Sequence, residues 1–271
     1  MTPPFPRRGY ADGPFGQIHY QQQGDGQPLV LLHQAPMTSG QYDQAYAPLA
    51  ARGFRAIGID MPGFGQSDAA SEAPTVDDYA RVVTPVLDAL GLRTAVVAGH
   101  HTGGLAAVAA AVGAPDRVSH LVIHGPLHIT QAEADEYLAT GHQWELGFVA
   151  QPEGAHFAEL ARIREGFAAG TIPPARISDY VVQAFSGRGA FWHGHHAAYT
   201  YRLDEEILRV TQPTLILTNT GDIIHDLAAR TLTARPDFAL AVLEGGGVDI
   251  LDQQPEAWAE AVAAFVFGSP A

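Results

Sequence analysis

The sequence predicts an α/β fold: a mostly parallel, doubly wound sheet with helical crossovers and one helical insertion. Three observations carry this expectation. Short apolar runs recur, each bounded by Gly, Pro, Asp or His; amphipathic stretches long enough to cross a sheet lie between them; and one long interval, 126–211, has helical patterning without a strand.

The elements follow in order. Tyr10 and Ile18 to Gln22 read as an antiparallel hairpin. Leu29 to Leu32, Arg55 to Ile59, Ala95 to Ala98, Leu121 to Ile123, Thr214 to Leu217 and Ala239 to Leu243 read as strands, and their mostly unbroken apolar character points to a sheet covered on both faces. Crossover helices are expected over Val76 to Leu90, Leu105 to Val112 and Pro255 to Phe267. In the insertion, helices are expected around Gln131 to Tyr137, His156 to Ala169, Ser178 to Phe185 and Ala197 to Leu208. The division is therefore a core of residues 1–125 and 212–271 and a helical cap of 126–211. No repeat of 20 to 50 residues is present, which sets solenoids aside.

Composition narrows the chemistry. The 271 residues include no cysteine, and all 15 basic residues are arginine. Disulfides, thiolate nucleophiles and thiolate metal sites are excluded, as are a lysine Schiff base and a phosphate-binding lysine. The 13 histidines leave imidazole and carboxylate as the abundant acid and base groups. A net charge of −14 argues against nucleic acid, since phosphate binding needs a basic face. No apolar run is long enough to span a bilayer, and MTPPFPRRGYADG is not patterned as a secretory leader, so a cytoplasmic location and a small-molecule substrate are expected. A homodimer is compatible with the sequence.

Doubly wound sheets place reacting groups at the carboxyl ends of their strands. That rule selects His33, Asp60, His100, His101, His124 and Asp222. The segment from Ala95 to Gly104 reads as a strand, a sharp turn and a small-residue helix, with Gly99 and Gly103 flanking His101. This resembles the nucleophile elbow of the α/β-hydrolase superfamily, whose central residue sits in a strained turn that only glycine neighbours permit. The resemblance extends over nearly the whole chain. Leu31-Leu-His-Gln-Ala-Pro36 stands where the family has its oxyanion loop, Asp60-Met-Pro-Gly-Phe-Gly-Gln-Ser-Asp68 is similar to its D-x-P-G-x-G-x-S-D turn, and Asn219-Thr-Gly-Asp222 resembles the loop carrying the triad acid.

The departures are equally specific. Histidine, His101, occupies the nucleophile position, and alignment of Asp252-Gln-Gln-Pro-Glu256 puts Val248 where the family's catalytic histidine belongs. A Ser-His-Asp relay cannot operate without its hydroxyl and its base. The dehalogenase and epoxide-hydrolase branches need an aspartate at the elbow, and Ala35 and Thr102 stand where that resemblance would put halide-binding Asn and Trp.

What remains suggests an imidazole that has changed its point of attachment. His101 is expected to donate from Nδ1 to Asp222 and to present Nε2 to the substrate as a general base, with direct nucleophilic attack by the ring as an alternative. The resemblance implies an oxyanion hole from the N–H groups of Ala35 and Thr102. The expected activity is cofactor-independent hydrolysis of an ester, lactone or C–C bond in a small apolar or aromatic substrate. Two alternatives stand beside it: a proton-transferring lyase or isomerase, and a catalytically silent binder.

The other histidines carry weaker expectations. His33 is either a hydrogen-bonded loop residue or a substrate contact, His124 is placed to line the pocket, and the cap aromatics, Trp192 among them, suggest an apolar lid. Convergence of His33, His101, His124 and Asp222 on a metal is an alternative, but no metal ligand and no cofactor are assigned. His193 and His196 share a helix face, a spacing that fits a polar cap segment better than a metal site.

Overall fold

A computed structural model describes residues 6–268. Eight strands form one sheet in the order β1-β2-β4-β3-β5-β6-β7-β8. They are β1 (Arg7–Gly13), β2 (Gly16–Gln23), β3 (Gln27–Leu32), β4 (Phe54–Ile59), β5 (Ala95–His100), β6 (Val118–His124), β7 (Thr214–Asn219) and β8 (Ala239–Leu243). The hairpin pairs β1 with β2 and joins β4 antiparallel, and every pairing from β4 to β8 is parallel.

Helices connect and cover the strands. These are α1 (Tyr46–Ala51), α2 (Val76–Ala80), α3 (Val83–Ala89), α4 (Thr102–Gly113), α5 (Gln131–Ala139), α6 (Gly141–Leu146), α7 (Ala155–Ala168), α8 (Pro174–Phe185), α9 (His193–Thr200), α10 (Leu203–Glu206), α11 (Ala228–Ala234), α12 (Ile250–Gln253) and α13 (Pro255–Phe267). Between β6 and β7 the chain is helical, α5 to α10, with no strand among the described residues.

All six expected parallel strands are present, and period-two alternation explains their composition. Val30, Leu32, Val97, Ile123 and Ile216 pack toward α2, α3 and α4, whereas Leu29, Leu31, Val96, Val122 and Leu215 pack with Tyr42, Tyr46 and Trp258 on the opposite face. The inner strands therefore carry apolar residues on both faces, whereas the edge strand β8 leaves Leu240 and Val242 exposed.

Two helices differ from expectation. The amphipathic run Val76 to Leu90 is divided into α2 and α3, because Pro85 has no N–H to bond one turn back and its ring crowds that turn. The run Ala197 to Leu208 breaks at Tyr201, whose extended backbone (φ −85°, ψ 134°) ends α9 before the acidic start of α10. The helix α6 follows from no strong periodicity in the sequence.

The strand ends and loops that carry the site are pinned by side chains. Asp60, buried at the end of β4, accepts hydrogen bonds from Ser39 N–H (2.7 Å), Gln66 N–H (2.9 Å) and His19 Nδ1 (2.8 Å). Burial pushes its carboxyl up, but these donors and the His19 ring outweigh that and hold it below its ordinary value. Asp60 is thus an anchor for two loops.

Candidate active site

The turn after β5 is a consequence of its glycines. A Cβ at Gly99 would lie 1.9 Å from the Gly103 carbonyl oxygen, and one at Gly103 would lie 2.0 Å from that of Leu32. Strand and helix approach this closely only without side chains. The chain reverses at His101, which has φ 49° and ψ −114°. Its N–H donates to the His124 carbonyl (2.9 Å), and its own carbonyl accepts from Gly104 (2.8 Å) and Leu105 (3.2 Å), so both backbone groups of the strained residue are engaged.

The His101 ring meets Asp222, in the loop after β7, through Nε2, which donates to Oδ2 at 2.7 Å. Asp222 Oδ1 accepts the Ile224 N–H (3.1 Å), which fixes the carboxylate. Burial alone would raise this carboxyl, but the neighbouring imidazoles and the hydrogen bonds hold it down to about 2, so it is an anion at neutral pH. The ring lies over Gly125: a Cβ there would come 2.4 Å from His101 Cδ2 and 2.7 Å from Nε2. Gly125 is the space into which the imidazole fits.

This geometry corrects one detail of the sequence expectation. Asp222 is met by Nε2, not Nδ1, and it is Nδ1 that has no protein hydrogen-bond partner among the described residues. The reason is reach. A histidine on the last loop approaches the acid from the far side and uses its proximal nitrogen, whereas a ring rooted at the turn must span the nucleophile's own position, and only the distal nitrogen extends far enough.

Three other strand-end histidines are structural. His33 donates from Nδ1 to the Gln34 carbonyl (2.9 Å), accepts the Met61 N–H at Nε2 (3.0 Å) and is fully buried. His124, expected to line the pocket, is also fully buried: Trp258 Nε1 donates to its Nδ1 (2.7 Å), and its Nε2 donates to Asn219 Oδ1 (2.9 Å). Asn219 in turn donates to the carbonyls of Gly245 and Gly247, so His124 supports the two loops bearing Asp222 and Val248. Burial depresses all three rings, His33, His100 and His124, the last to about 4.

His100, His101 and Asp222 bring possible ligand atoms within 4.8 Å of one another. The donor set does not suit a cation. Gln41 Oε1 accepts the Gln34 N–H (2.9 Å), so its amide nitrogen must donate to His100 Nδ1 (2.6 Å), which leaves the proton of neutral His100 on Nε2. A protonated nitrogen offers no lone pair to a metal. With His33 and His124 committed to other partners, the alternative four-residue metal cluster is not assembled either.

His101 opens into a cavity of about 300 Å³ between the sheet and helices α5, α6, α7 and α9. Ala35 and Val248 contribute from the core, and Trp144, Leu160, Ile163, Phe167, Phe191 and Ile223 make most of its wall apolar. Thr102 is buried as the first residue of α4, and neither its N–H nor that of Ala35 is donated to a protein acceptor among the described residues. Trp192 is not part of the wall: it packs against His142, His193 and His196, with ring centroids 4.5–5.3 Å away.

The cavity holds polar residues that the sequence did not single out. Tyr137, Glu145 and His195 face it from α5, α6 and α9, and Arg164 from α7. Glu145 is buried, bonded to His195 Nδ1 and accepting the Tyr137 hydroxyl at 2.7 Å. Arg164 is paired with buried Asp249, next to Val248. The available signal was His195 and Tyr199 at i and i+4, and a lone carboxylate in the apolar stretch Trp144-Glu-Leu-Gly-Phe148.

A family model described as "alpha/beta hydrolase fold" matches residues 27–161. The chain is 39% identical over 119 residues to a 2-hydroxy-6-oxononadienedioate/2-hydroxy-6-oxononatrienedioate hydrolase of Burkholderia vietnamiensis, a match covering 42% of this chain and 41% of that protein. It spans less than half the length of that relative and of others matched with similar strength. A longer match, 29% identity over 231 residues, covers 80% of this chain and 83% of a non-heme haloperoxidase of Rhodococcus erythropolis. Among solved structures, a bromoperoxidase from Bacillus anthracis superposes with a TM-score of 0.81 at 21% identity, over 96% of this chain and 100% of that one. Sequence and fold agree: the chain has the α/β-hydrolase fold.

Proposed function

We propose that the chain is a cofactor-independent hydrolase in which His101 and Asp222 form a general-base dyad. The observation that carries this reading is the 2.7 Å contact from His101 Nε2 to a buried carboxylate, made by a ring that lines the cavity and whose Nδ1 has no protein partner among the described residues. Asp222 fixes the tautomer and compensates the charge that develops when Nδ1 takes a proton. The proton comes from water, the hydroxide adds to a substrate carbonyl, and the N–H groups of Ala35 and Thr102 receive the oxyanion. Helices α5, α6, α7 and α9 cover the cavity as a cap.

The substrate class follows from the walls. The cavity is small and mostly apolar, and its titratable groups are paired: His101 with Asp222, His195 with Glu145, and Arg164 with Asp249. It suits a small neutral or weakly polar molecule whose ester, lactone or ketone group meets His101. The hydrolase names of the relatives matched over the shorter segments support a carbonyl compound as substrate.

The test is a panel of aryl esters, enol lactones and vinylogous 1,5-diketones against the parent, His101→Ala and Asp222→Asn. Loss of the base should lower kcat about 10²–10⁴-fold. Parental turnover by His101→Ala would end the reading. The absence of any hydroxyl, thiol or carboxylate at position 101 also favours proton abstraction from carbon by the same base. Solvent deuterium incorporation into an unhydrolysed ketone would identify that reaction.

A further inference from the structure

The cavity contains two histidine–carboxylate pairs, not one. His101 with Asp222 comes from the core, and His195 with Glu145 comes from the cap. Both rings line the same cavity, and each is bonded to its carboxylate through one nitrogen: Nε2 in His101 and Nδ1 in His195. The other nitrogen has no protein partner in either ring among the described residues.

The cap pair is built with care for its geometry. Glu145 is 4% exposed, a costly place for a carboxylate, and both its oxygens are used: one by His195, the other by the Tyr137 hydroxyl. The Tyr137 ring is stacked on Tyr199 (centroids 3.5 Å apart, 9° between planes), and a Cβ at Gly141 would strike it at 2.7 Å. His195 and Tyr199 lie one turn apart on α9, so the stack also fixes the helix face that presents His195. A salt bridge made only to hold the cap would not need to face the cavity.

We propose that His195 is a second catalytic residue, a proton donor to the leaving group, oriented by Glu145. This rests on the hydrolytic reading of His101. In the full cycle His101 Nδ1 takes a proton from water as the C–O bond forms, and the carbonyl electron pair moves onto oxygen. The pair then returns, the bond to the leaving group breaks, and His195 Nε2 gives that group its proton. Ester and water become acid and alcohol, and solvent carries one proton from His101 back to His195.

The experiment compares two esters of one acid, 4-nitrophenyl butanoate and benzyl butanoate. Nitrophenolate leaves unaided, whereas benzyl alkoxide needs a proton. The expectation for His195→Gln is nitrophenyl turnover within about threefold of the parent and benzyl turnover lowered about 100-fold. The parent should show a bell-shaped pH profile on the benzyl ester, and His195→Gln should lose the alkaline limb, a change that a packing role would not produce. His101→Ala should abolish both reactions. Equal losses on the two esters in His195→Gln, with His101→Ala inactive, overturn the donor role and leave the base intact. A parent that hydrolyses neither ester, or is indifferent to His101→Ala, overturns the hydrolytic reading and the donor with it.

Discussion

Gly125→Ala isolates the fit of the imidazole from its chemistry. The residue has φ +61°, so a side chain costs about 1 kcal/mol in backbone strain before it touches anything. The new Cβ would then sit 2.4 Å from His101 Cδ2, about 1 Å inside ordinary contact, and the backbone it stands on is tied to Leu217 by a 3.0 Å hydrogen bond. The ring must rotate and give up its bond to Asp222. A charge-assisted hydrogen bond of this kind contributes about 1.5–3 kcal/mol, which converts to a loss of about 10–100-fold in kcat if the oriented base is what limits turnover. Two assays apply: ester hydrolysis, and proton NMR of the downfield His101 Nε2–H signal. Both should be lost while thermal denaturation reports a folded protein. Gly113→Ala, at the end of α4 with nothing within 4 Å of the added carbon, is the control. A folded Gly125→Ala protein with parental rate and an unchanged signal would refute the packing argument.

The depressed pKa of His124 makes the protein acid-labile. The unfolded chain takes up that proton below pH 6.5 while the native ring, held to about 4, does not, so stability falls as pH drops across that window and levels off below it. His124 alone removes about 2 kcal/mol between pH 7 and pH 5, and His33 and His100 act in the same direction; urea denaturation at the two pH values measures the sum. Arg164→Met leaves Asp249 buried beside an apolar side chain and should cost about 3–5 kcal/mol by the same assay, more than the double replacement by leucine of both partners. His101→Ser with Val248→His restores a hydroxyl at the turn and an imidazole on the loop that supplies it in relatives. A serine-directed phosphonate should label the double variant about 100-fold faster than His101→Ser alone, and the parent should not react. Equal labelling of the two variants would show that position 248 does not reach Asp222.

The inner sheet was readable because parallel strands buried on both faces read as short unbroken apolar runs; β8 was readable from the same apolar run although it is an exposed edge strand. The 101–222 pairing was readable by subtraction, once Val248 left the acid without its usual partner. Which nitrogen would face the acid was not, because it depends on the ring's path over Gly125, a contact between the ends of two strands. The Glu145–His195 pair was hidden for a related reason: it joins helices 50 residues apart in a segment whose relative placement no local periodicity encodes. His33 and His124 stood at the right strand ends, but a position at a strand end does not say which way a ring turns. Both turn into the protein, where backbone groups, Trp258 and Asn219 satisfy them.

Moving the imidazole from the loop to the turn changes what the site can do. In the ordinary arrangement base and nucleophile belong to different segments, and their distance depends on how a loop docks. In the proposed mechanism the base is side by side in sequence with Thr102, the residue whose N–H is assigned to the oxyanion, so one peptide unit fixes the distance between them. The unusual backbone of His101 stores about 1–3 kcal/mol of strain and is held by three hydrogen bonds. That rigidity suits a base that must be aimed, and position 101 offers no hydroxyl, thiol or carboxylate to attack the substrate. In the proposed general-base reading the attacking atom is therefore water or the substrate itself. Because no acyl-enzyme then forms, both proton transfers fall within a single passage through the tetrahedral intermediate, and the base that accepted the first proton is still charged when the leaving group departs. Such a site gains most from a donor that is separate from the base and approaches from another direction. His195, attached to the cap and held by its own carboxylate, occupies that position.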